Sequence, residues 1–136
     1  MYDNLKSVIV LPRNRSVPDG SPMMTMPSLA DIQHMLNGEP ELLGDLTCFR
    51  SDDFDTNTRV AAFGIRGADE YNHVATVIMD GSRVLDGKRE ETVFDRLGVT
   101  PSVTEMIPVN GPVLMFYSDD EGLIDSIRAI STKIDA

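Results

Sequence analysis

Residues 112–134 have the sequence PVLMFYSDDEGLIDSIRAISTKI, and this stretch decides the fold class. Its first part, Pro112 to Tyr117, is a continuous apolar run, which is typical of a central strand buried on both faces. Its second part carries aliphatic residues at helical spacing, which predicts an amphipathic helix; these are Leu123, Ile124, Ile127, Ile130 and Ile134. A buried strand that leads directly into an amphipathic helix indicates a sheet covered by helices.

Upstream of this stretch the chain predicts a strand, a loop and a helix. The β-branched run Leu5 to Leu11 is the first predicted strand. Pro12 to Pro27, rich in proline and methionine, is predicted to be a loop, because its four prolines remove hydrogen-bond donors. Ser28 is the expected N-cap of a helix, Asp31 completes a capping box, and Gly38 is expected to end that helix.

The middle of the chain contains two strand patterns and one ambiguous pattern. Leu42 to Phe49 predicts a strand with Gly44 as a bulge, and Thr58 to Ile65 predicts another strand. Asn72 is the expected cap of a helix that continues to about Asp80. The β-branched residues of this stretch also suit a strand, so the pattern leaves both structures open up to residue 85.

Together these patterns predict a single α+β domain over residues 1–136. A further short helix is predicted from Glu90 to Leu97. The expected architecture is a small mixed or antiparallel sheet of about four or five strands, with about two to four helices mainly on one face.

The composition is that of an acidic globular chain. Its 136 residues include 22 acids and 12 bases, for a net charge of −10, and 41% are hydrophobic. This apolar content suffices for a core without disulfides or metals. The net charge argues against binding to nucleic acid or to anionic lipid, because both ligands favour clustered bases.

The cysteine content and the lack of targeting patterns indicate the cellular compartment of the protein. Cys48 is the only cysteine, which excludes an intramolecular disulfide and a zinc site built on thiolates. We interpret it as a buried, inert thiol in a strand. The chain has no signal-peptide pattern and no apolar run of about 18 residues. We therefore expect a cytoplasmic protein with no cofactor and no metal.

Two groups of acidic residues form a candidate binding surface for a protein with a basic surface. One group lies between two predicted strands and the other at the start of the last helix; they are Asp52, Asp53, Asp55, Asp119, Asp120 and Glu121. The D-x-D-x-N spacing from Asp53 resembles the start of a calcium loop. It lacks the glycine at the sixth position and the glutamate at the twelfth, so it predicts no metal site. The second group also suits the positive end of the helix dipole.

Four arginines are candidates for binding an anion, although no sequence spacing links them: Arg13, Arg15, Arg59 and Arg66. The one candidate for acid–base chemistry is His73, if Asp69 or Glu70 orients its imidazole on a helix. No pattern places a nucleophile beside it, and no glycine spacing matches a phosphate-binding loop. We therefore assign no catalytic residue.

Three short motifs, spread over residues 28–122, carry a family resemblance. They are Ser28 to Gln33 with Gly38, Asn72 with Ala75 and Thr76, and Gly111 to Val113 with Asp119 to Gly122. In this order they resemble a family of small phage- and plasmid-borne proteins of unknown function. The chain departs from that pattern in its Pro- and Met-rich loop and in residues 82–106. The resemblance implies a phage or mobile-element origin and no catalytic residues, because none is assigned in the family.

Three classes of function follow from these observations. The first is a phage or mobile-element accessory protein that binds and inhibits a host or defence protein through an acidic surface. The second is a protein that binds or sequesters a small, nucleotide-like ligand with its arginines. The third is a small enzyme that uses His73. We expect the first class, without direct nucleic-acid or membrane binding, and leave open whether the chain forms a homo-oligomer.

Overall fold

An antiparallel sheet with helices on both faces forms the fold. A computed structural model describes residues 2–44, 46–50, 54, 58–88, 90–91, 96–97 and 106–134. The strands of this described part are β1 (Tyr2–Val10), β2 (Ser21–Met23), β3 (Pro40–Leu42), β4 (Cys48–Phe49), β5 (Thr58–Ile65) and β6 (Val113–Ser118). Its helices are α1 (Leu29–Leu36), α2 (His73–Leu85), α3 (Glu121–Arg128) and α4 (Ser131–Ile134). The predicted α+β class is confirmed.

The apolar run after Pro112 forms the central strand, as predicted. The sheet has the order β2-β1-β6-β5-β3, and β4 also pairs with β5. Strand β6 is antiparallel to both neighbours, and its last residue, Ser118, lies opposite Leu5 of β1 and Arg59 of β5. Every residue of β6 is buried, so this strand has no polar face to alternate with an apolar one.

Alternate residues of the strands contribute to two separate cores, one on each face of the sheet. The first core joins the sheet to α2 and includes Val60, Met79 and Met115. The second joins the sheet to α1, α3 and α4 and includes Phe63 and Phe116. Three of the four described helices therefore share one face, as expected, while the longest helix covers the other face.

Helix α1 begins where its capping pattern predicts. The Ser28 hydroxyl accepts a hydrogen bond from the Asp31 backbone N–H at 3.1 Å, and the Asp31 carboxylate accepts one from the Ser28 N–H at 2.9 Å. The bond from the Ser28 backbone, followed by the one with its hydroxyl, lowers the pKa of Asp31 below its ordinary value. The last helical residue is Leu36, and the C-cap Asn37, rather than Gly38, takes the left-handed conformation at φ 54°, which asparagine tolerates better than most residues.

The ambiguous stretch after Asn72 is helical and extends beyond the expected end near Asp80, to Leu85. Asn72 is fully buried, and its side-chain oxygen accepts a hydrogen bond from the Ala75 N–H at 3.1 Å. Its side-chain nitrogen donates to the carbonyls of Val10 at 3.0 Å and Gly111 at 2.8 Å. One side chain therefore caps α2 and also ties it to the end of β1 and to the segment before β6.

The predicted strand Leu42 to Phe49 is wrong as a single element. Of this stretch, only Leu42 belongs to β3 and only Cys48 and Phe49 form β4. These two strands pair with opposite ends of β5. The chain leaves the ladder around Gly44, where the sequence predicts a bulge. Buried Leu46 lies in the interruption, and Arg128 of α3 donates a hydrogen bond to its carbonyl at 3.2 Å. A side chain from a distant helix thus supplies a hydrogen-bond donor to the Leu46 carbonyl in this interruption of the strand.

The predicted loop Pro12 to Pro27 also needs correction, because it contains strand β2. This strand forms one edge of the sheet and pairs only with β1 among the described strands. An edge position explains how Pro22 can belong to a strand, since a missing N–H on the outer side removes no ladder bond.

The predicted final helix is divided in two, although its aliphatic stripe still packs against the sheet. Thr132 donates both its backbone N–H, at 3.2 Å, and its hydroxyl, at 2.8 Å, to the Ala129 carbonyl. In a continuous helix that carbonyl would accept from the residue four positions later. The tighter turn therefore separates α3 from α4. Most of the predicted helix Glu90 to Leu97 lies outside the described residues.

Candidate functional site

One end of the sheet carries the acidic residues that follow β6. Asp119, Asp120 and Glu121 lead from Ser118 into α3, and all three are exposed. Asp125, one helical turn after Glu121, is exposed on the same helix. We call these four carboxylates the acidic end. Asp125 was not among the predicted residues, although its place outside the aliphatic stripe indicates an exposed helical position.

The carboxylates of the acidic end have different roles. Asp120 is the N-cap of α3, and its Oδ1 accepts hydrogen bonds from the N–H groups of Gly122 at 3.0 Å and Leu123 at 3.3 Å. A carboxylate at this position stabilises the helix start. Asp119 and Asp125 make no side-chain hydrogen bond or ion pair with another described residue. These two are therefore the carboxylates best placed to meet a partner.

Glu121 is paired within the protein. Its Oε1 accepts a hydrogen bond from Nη2 of Arg59 at 2.7 Å, and the two side chains are 63% and 39% exposed. This bond is the main cause of the raised pKa of Arg59. An exposed pair of this kind contributes about 0–1 kcal/mol to stability. A predicted anion-binding residue and a predicted acidic-surface residue thus bind each other.

The first acidic group, Asp52, Asp53 and Asp55, lies outside the described residues. The strands that flank it are described: β4 ends and β5 begins at the end of the sheet where β6 finishes. Phe54, the covalent neighbour of two of these acids, packs edge-on against Tyr117 of β6 with ring centroids 6.2 Å apart. Both acidic segments of the sequence therefore connect to the same end of the sheet.

Two of the four predicted anion-binding arginines, Arg13 and Arg66, lie at the opposite end of the sheet, and both are exposed. Arg13 follows the end of β1, and Arg66 follows the last residue of β5. We call this pair the arginine end. Arg15, two residues after Arg13, is exposed in the loop that leads to β2. Arg59 is separated from them, because it pairs with Glu121 at the acidic end.

The hypothesis that Asp69 or Glu70 orients His73 is wrong. His73 is exposed in the first turn of α2, and its Nδ1 lies 3.2 Å from the hydroxyl of Tyr71. Neither carboxylate makes a hydrogen bond to this imidazole among the described contacts. The helix starts after Asp69 and Glu70, so the spacing of four residues places no carboxylate on the same helical face as the ring.

Cys48 is buried, as predicted, with 6% of its surface exposed. Its Sγ accepts a hydrogen bond from Arg59 at 3.5 Å, and its backbone N–H donates to Ser82 at 3.3 Å. Burial raises the pKa of the thiol, and its hydrogen bond to Asp86 raises it further. Burial also raises the pKa of Asp86, but hydrogen bonds from Cys48 and Thr47 outweigh this and place it below its ordinary value. A protonated, buried thiol is a poor nucleophile.

The neighbours of Cys48 were not predicted, for a physical reason. Ser82 lies in the C-terminal part of α2 and Asp86 is its C-cap. They bind Cys48 and the preceding Thr47 across 34 and 39 residues of sequence. Only the packing of α2 against the sheet edge brings them together. No local spacing could have indicated this arrangement.

Among the described residues, no group of three or more His, Cys, Asp or Glu side chains is arranged to hold a metal ion. The calcium-like spacing from Asp53 to Asn57 lies outside those residues. In the same described part, no helix combines the length and the apolar character that a membrane crossing requires.

Comparison of this chain with protein-family models, curated proteins and solved structures finds no match. No enzyme family or homologue therefore emerges from these comparisons. The resemblance of residues 28–122 to phage- and plasmid-borne proteins stays a prediction. Function has to be inferred from where the fold places its charges.

Proposed function

We propose that this chain is a non-catalytic accessory protein that binds a basic protein surface through its acidic end. In this proposal the protein is encoded by a phage or another mobile element, and it acts in the cytoplasm of the host cell. Its partner is a host or defence protein whose activity it inhibits. The family resemblance supports the proposed origin, and the placement of charge supports the binding surface.

The observation that carries the proposal is the separation of charge along the strands. The acidic end follows the last residue of β6, whereas Arg13 and Arg66 lie beyond the opposite ends of β1 and β5. A strand of six residues spans about 20 Å, which exceeds the Debye length of about 10 Å at 0.1 M salt. The two ends therefore act on a partner independently, and Arg13 and Arg66 do not cancel the field of the carboxylates, whereas Arg59 at the acidic end offsets the charge of Glu121.

A segregated negative surface favours a partner of opposite charge in two ways. It accelerates the encounter with a basic surface, and it opposes the approach of acidic proteins and of nucleic acid. Asp119 and Asp125 are available to lysine or arginine side chains of the partner. Glu121 already holds Arg59, so a partner arginine would have to compete for it.

The test compares two variants with the same change in charge. Asp119→Asn/Asp125→Asn removes two exposed carboxylates from the acidic end and spares the N-cap at Asp120. Asp69→Asn/Glu70→Gln removes two exposed carboxylates beyond the other end of β5 and is the control. Each protein is immobilised, exposed to a bacterial lysate at about 50 mM and about 300 mM salt, and the retained proteins are quantified by mass spectrometry.

We expect the wild type and the control to retain the same basic protein at low salt, and the Asp119/Asp125 variant to retain about tenfold less. The retained protein is then assayed for its own activity, which the wild type and the control should inhibit. Equal retention by both variants would contradict the proposed surface. Retention without any effect on the activity of the retained protein would contradict the inhibitory role.

A further inference from the structure

Arg59 is a basic residue that lies among the carboxylates of the acidic end. Its guanidinium donates through Nη2 to Oε1 of Glu121 at 2.7 Å and through Nη1 to Sγ of Cys48 at 3.5 Å. In the sheet, Arg59 lies opposite Ser118, the residue that immediately precedes Asp119. A cation of this chain therefore already occupies one of the carboxylates that a basic partner would meet.

The register of the sheet explains why Arg59 reaches α3. Side chains two residues apart on a strand point to the same face, and Ala61 and Phe63 belong to the core on the face that α3 covers. Arg59 therefore points to this face too, next to Glu121 at the start of α3. Cys48 lies opposite Arg59 in β4, so its thiol is on the same face.

The contact with Cys48 limits where the guanidinium can move. The thiol is buried and protonated, so it accepts a hydrogen bond without cancelling the positive charge of Arg59. If a partner's arginine displaced Arg59 from Glu121, the bond to Cys48 would hold the displaced guanidinium nearby, where it repels the incoming cation. A partner therefore has to overcome both the bond between Arg59 and Glu121 and the like charge that remains.

An arginine of the partner would present to Glu121 the same fork of N–H donors that Arg59 presents. We propose that Arg59 determines how basic a partner must be to bind the acidic end, because it competes with the partner's arginines for Glu121. Asp119 and Asp125 stay available to a strongly basic partner, whereas a weakly basic one does not displace Arg59. This inference rests on the proposed protein-binding function and adds the regulation of that same surface.

The test measures binding of a fluorescent hexa-arginine peptide by anisotropy at about 50 mM salt. It compares the wild type with Arg59→Gln and with the control Arg50→Gln. Arg50 follows β4 at the same end of the sheet, is exposed, and makes no side-chain hydrogen bond or ion pair with another described residue. Both variants lose one positive charge at this end, but only Arg59→Gln frees Glu121. Thermal melts show whether Arg59→Gln folds, and Arg59→Met with Arg50→Met replaces the glutamine pair if it does not.

We expect Arg59→Gln to bind the peptide about three- to fivefold more tightly than the wild type, which is the range of an exposed ion pair. Arg50→Gln should gain less than about twofold, because salt screens a charge that makes no contact. Adding Glu121→Gln to Arg59→Gln should remove the gain. The proposal is overturned if Arg59→Gln binds no more tightly than Arg50→Gln, or if none of these proteins binds the peptide.

The lysate experiment tests the proposed function separately. If the wild type retains a basic protein through Asp119 and Asp125 while Arg59→Gln and Arg50→Gln bind the peptide equally, the function stands and the role of Arg59 is refuted. If Arg59→Gln gains affinity for the peptide while the wild type retains no basic protein, the competition for Glu121 stands and the proposed function is refuted. The two failures are therefore distinguishable.

Discussion

Replacing Asn72 by alanine tests the junction that organises the middle of the fold. The side chain is fully buried and makes three hydrogen bonds, to the Ala75 N–H and to the carbonyls of Val10 and Gly111. Alanine removes all three bonds at once. The cap of α2 is lost, and two backbone carbonyls lose a buried donor.

The expected loss of stability follows from these contacts. A lost N-cap costs about 1 kcal/mol, and each buried bond from the side-chain nitrogen contributes about 1–1.5 kcal/mol. The free energy of unfolding should therefore fall by about 3–4 kcal/mol, a large part of the 5–15 kcal/mol typical of a domain. At about 3–4 °C per kcal/mol for a chain of this size, Tm should fall by about 10–15 °C.

Urea denaturation followed by circular dichroism measures this difference. Asn72→Ser keeps a capping oxygen without the two donors, so we expect it to be more stable than the alanine variant by about 1 kcal/mol. Ser28→Ala, which removes only the exposed cap of α1, serves as the control and should cost about 1 kcal/mol. If Asn72→Ala costs no more than Ser28→Ala, the junction does not have the role inferred from its contacts.

Three further outcomes are expected. The lowered pKa of Asp86 stabilises the fold at pH values above the unfolded pKa of about 3.9. In urea denaturation, the wild type should therefore be more stable than Asp86→Asn at pH 7, and this difference should shrink as the pH falls through the folded pKa. A difference that stays constant down to pH 2 contradicts this expectation. The buried Cys48 should react with a thiol reagent much more slowly in the native protein than in urea, and equal rates would show an accessible thiol. Gly20→Ala places a Cβ 1.8 Å from the hydroxyl oxygen of Tyr117 and should destabilise the protein by about 1–3 kcal/mol. Tyr117→Phe in the same chain should recover part of that loss, and a cost that is independent of Tyr117 would point to another cause.

Several elements could be predicted because their signals are local. Ser28 and Asp31 form a capping box within four residues, so the start of α1 needs no information from the rest of the chain. Thr58 to Ile65 forms the predicted strand, because its β-branched and apolar residues favour extended backbone. The interruption of the predicted strand Leu42 to Phe49 between β3 and β4 is different. It depends on pairing with opposite ends of β5 and on the contact from Arg128.

The candidate sites show the same difference between features that local sequence encodes and features that depend on tertiary contacts. The sequence indicates which residues are charged and which helix starts with acids, but it does not indicate which charges share a surface. His73 illustrates the limit, because a spacing of four residues suggests a carboxylate partner, while the observed partner is Tyr71, two residues away. The chain bends before α2, and that bend decides which side chain meets the ring.

The stretch from Pro112 to Ile134 by itself determined the central strand and the aliphatic stripe that follows it, because burial on both faces and helical spacing are visible in the order of residues. Tertiary structure alone decided that Arg59 pairs with Glu121 across 62 residues, and that Arg13 and Arg66 finish at one end of the sheet. Those relations depend on strand order and register. Strand order and register are determined jointly by many contacts between residues far apart in sequence, so no local sequence pattern encodes them.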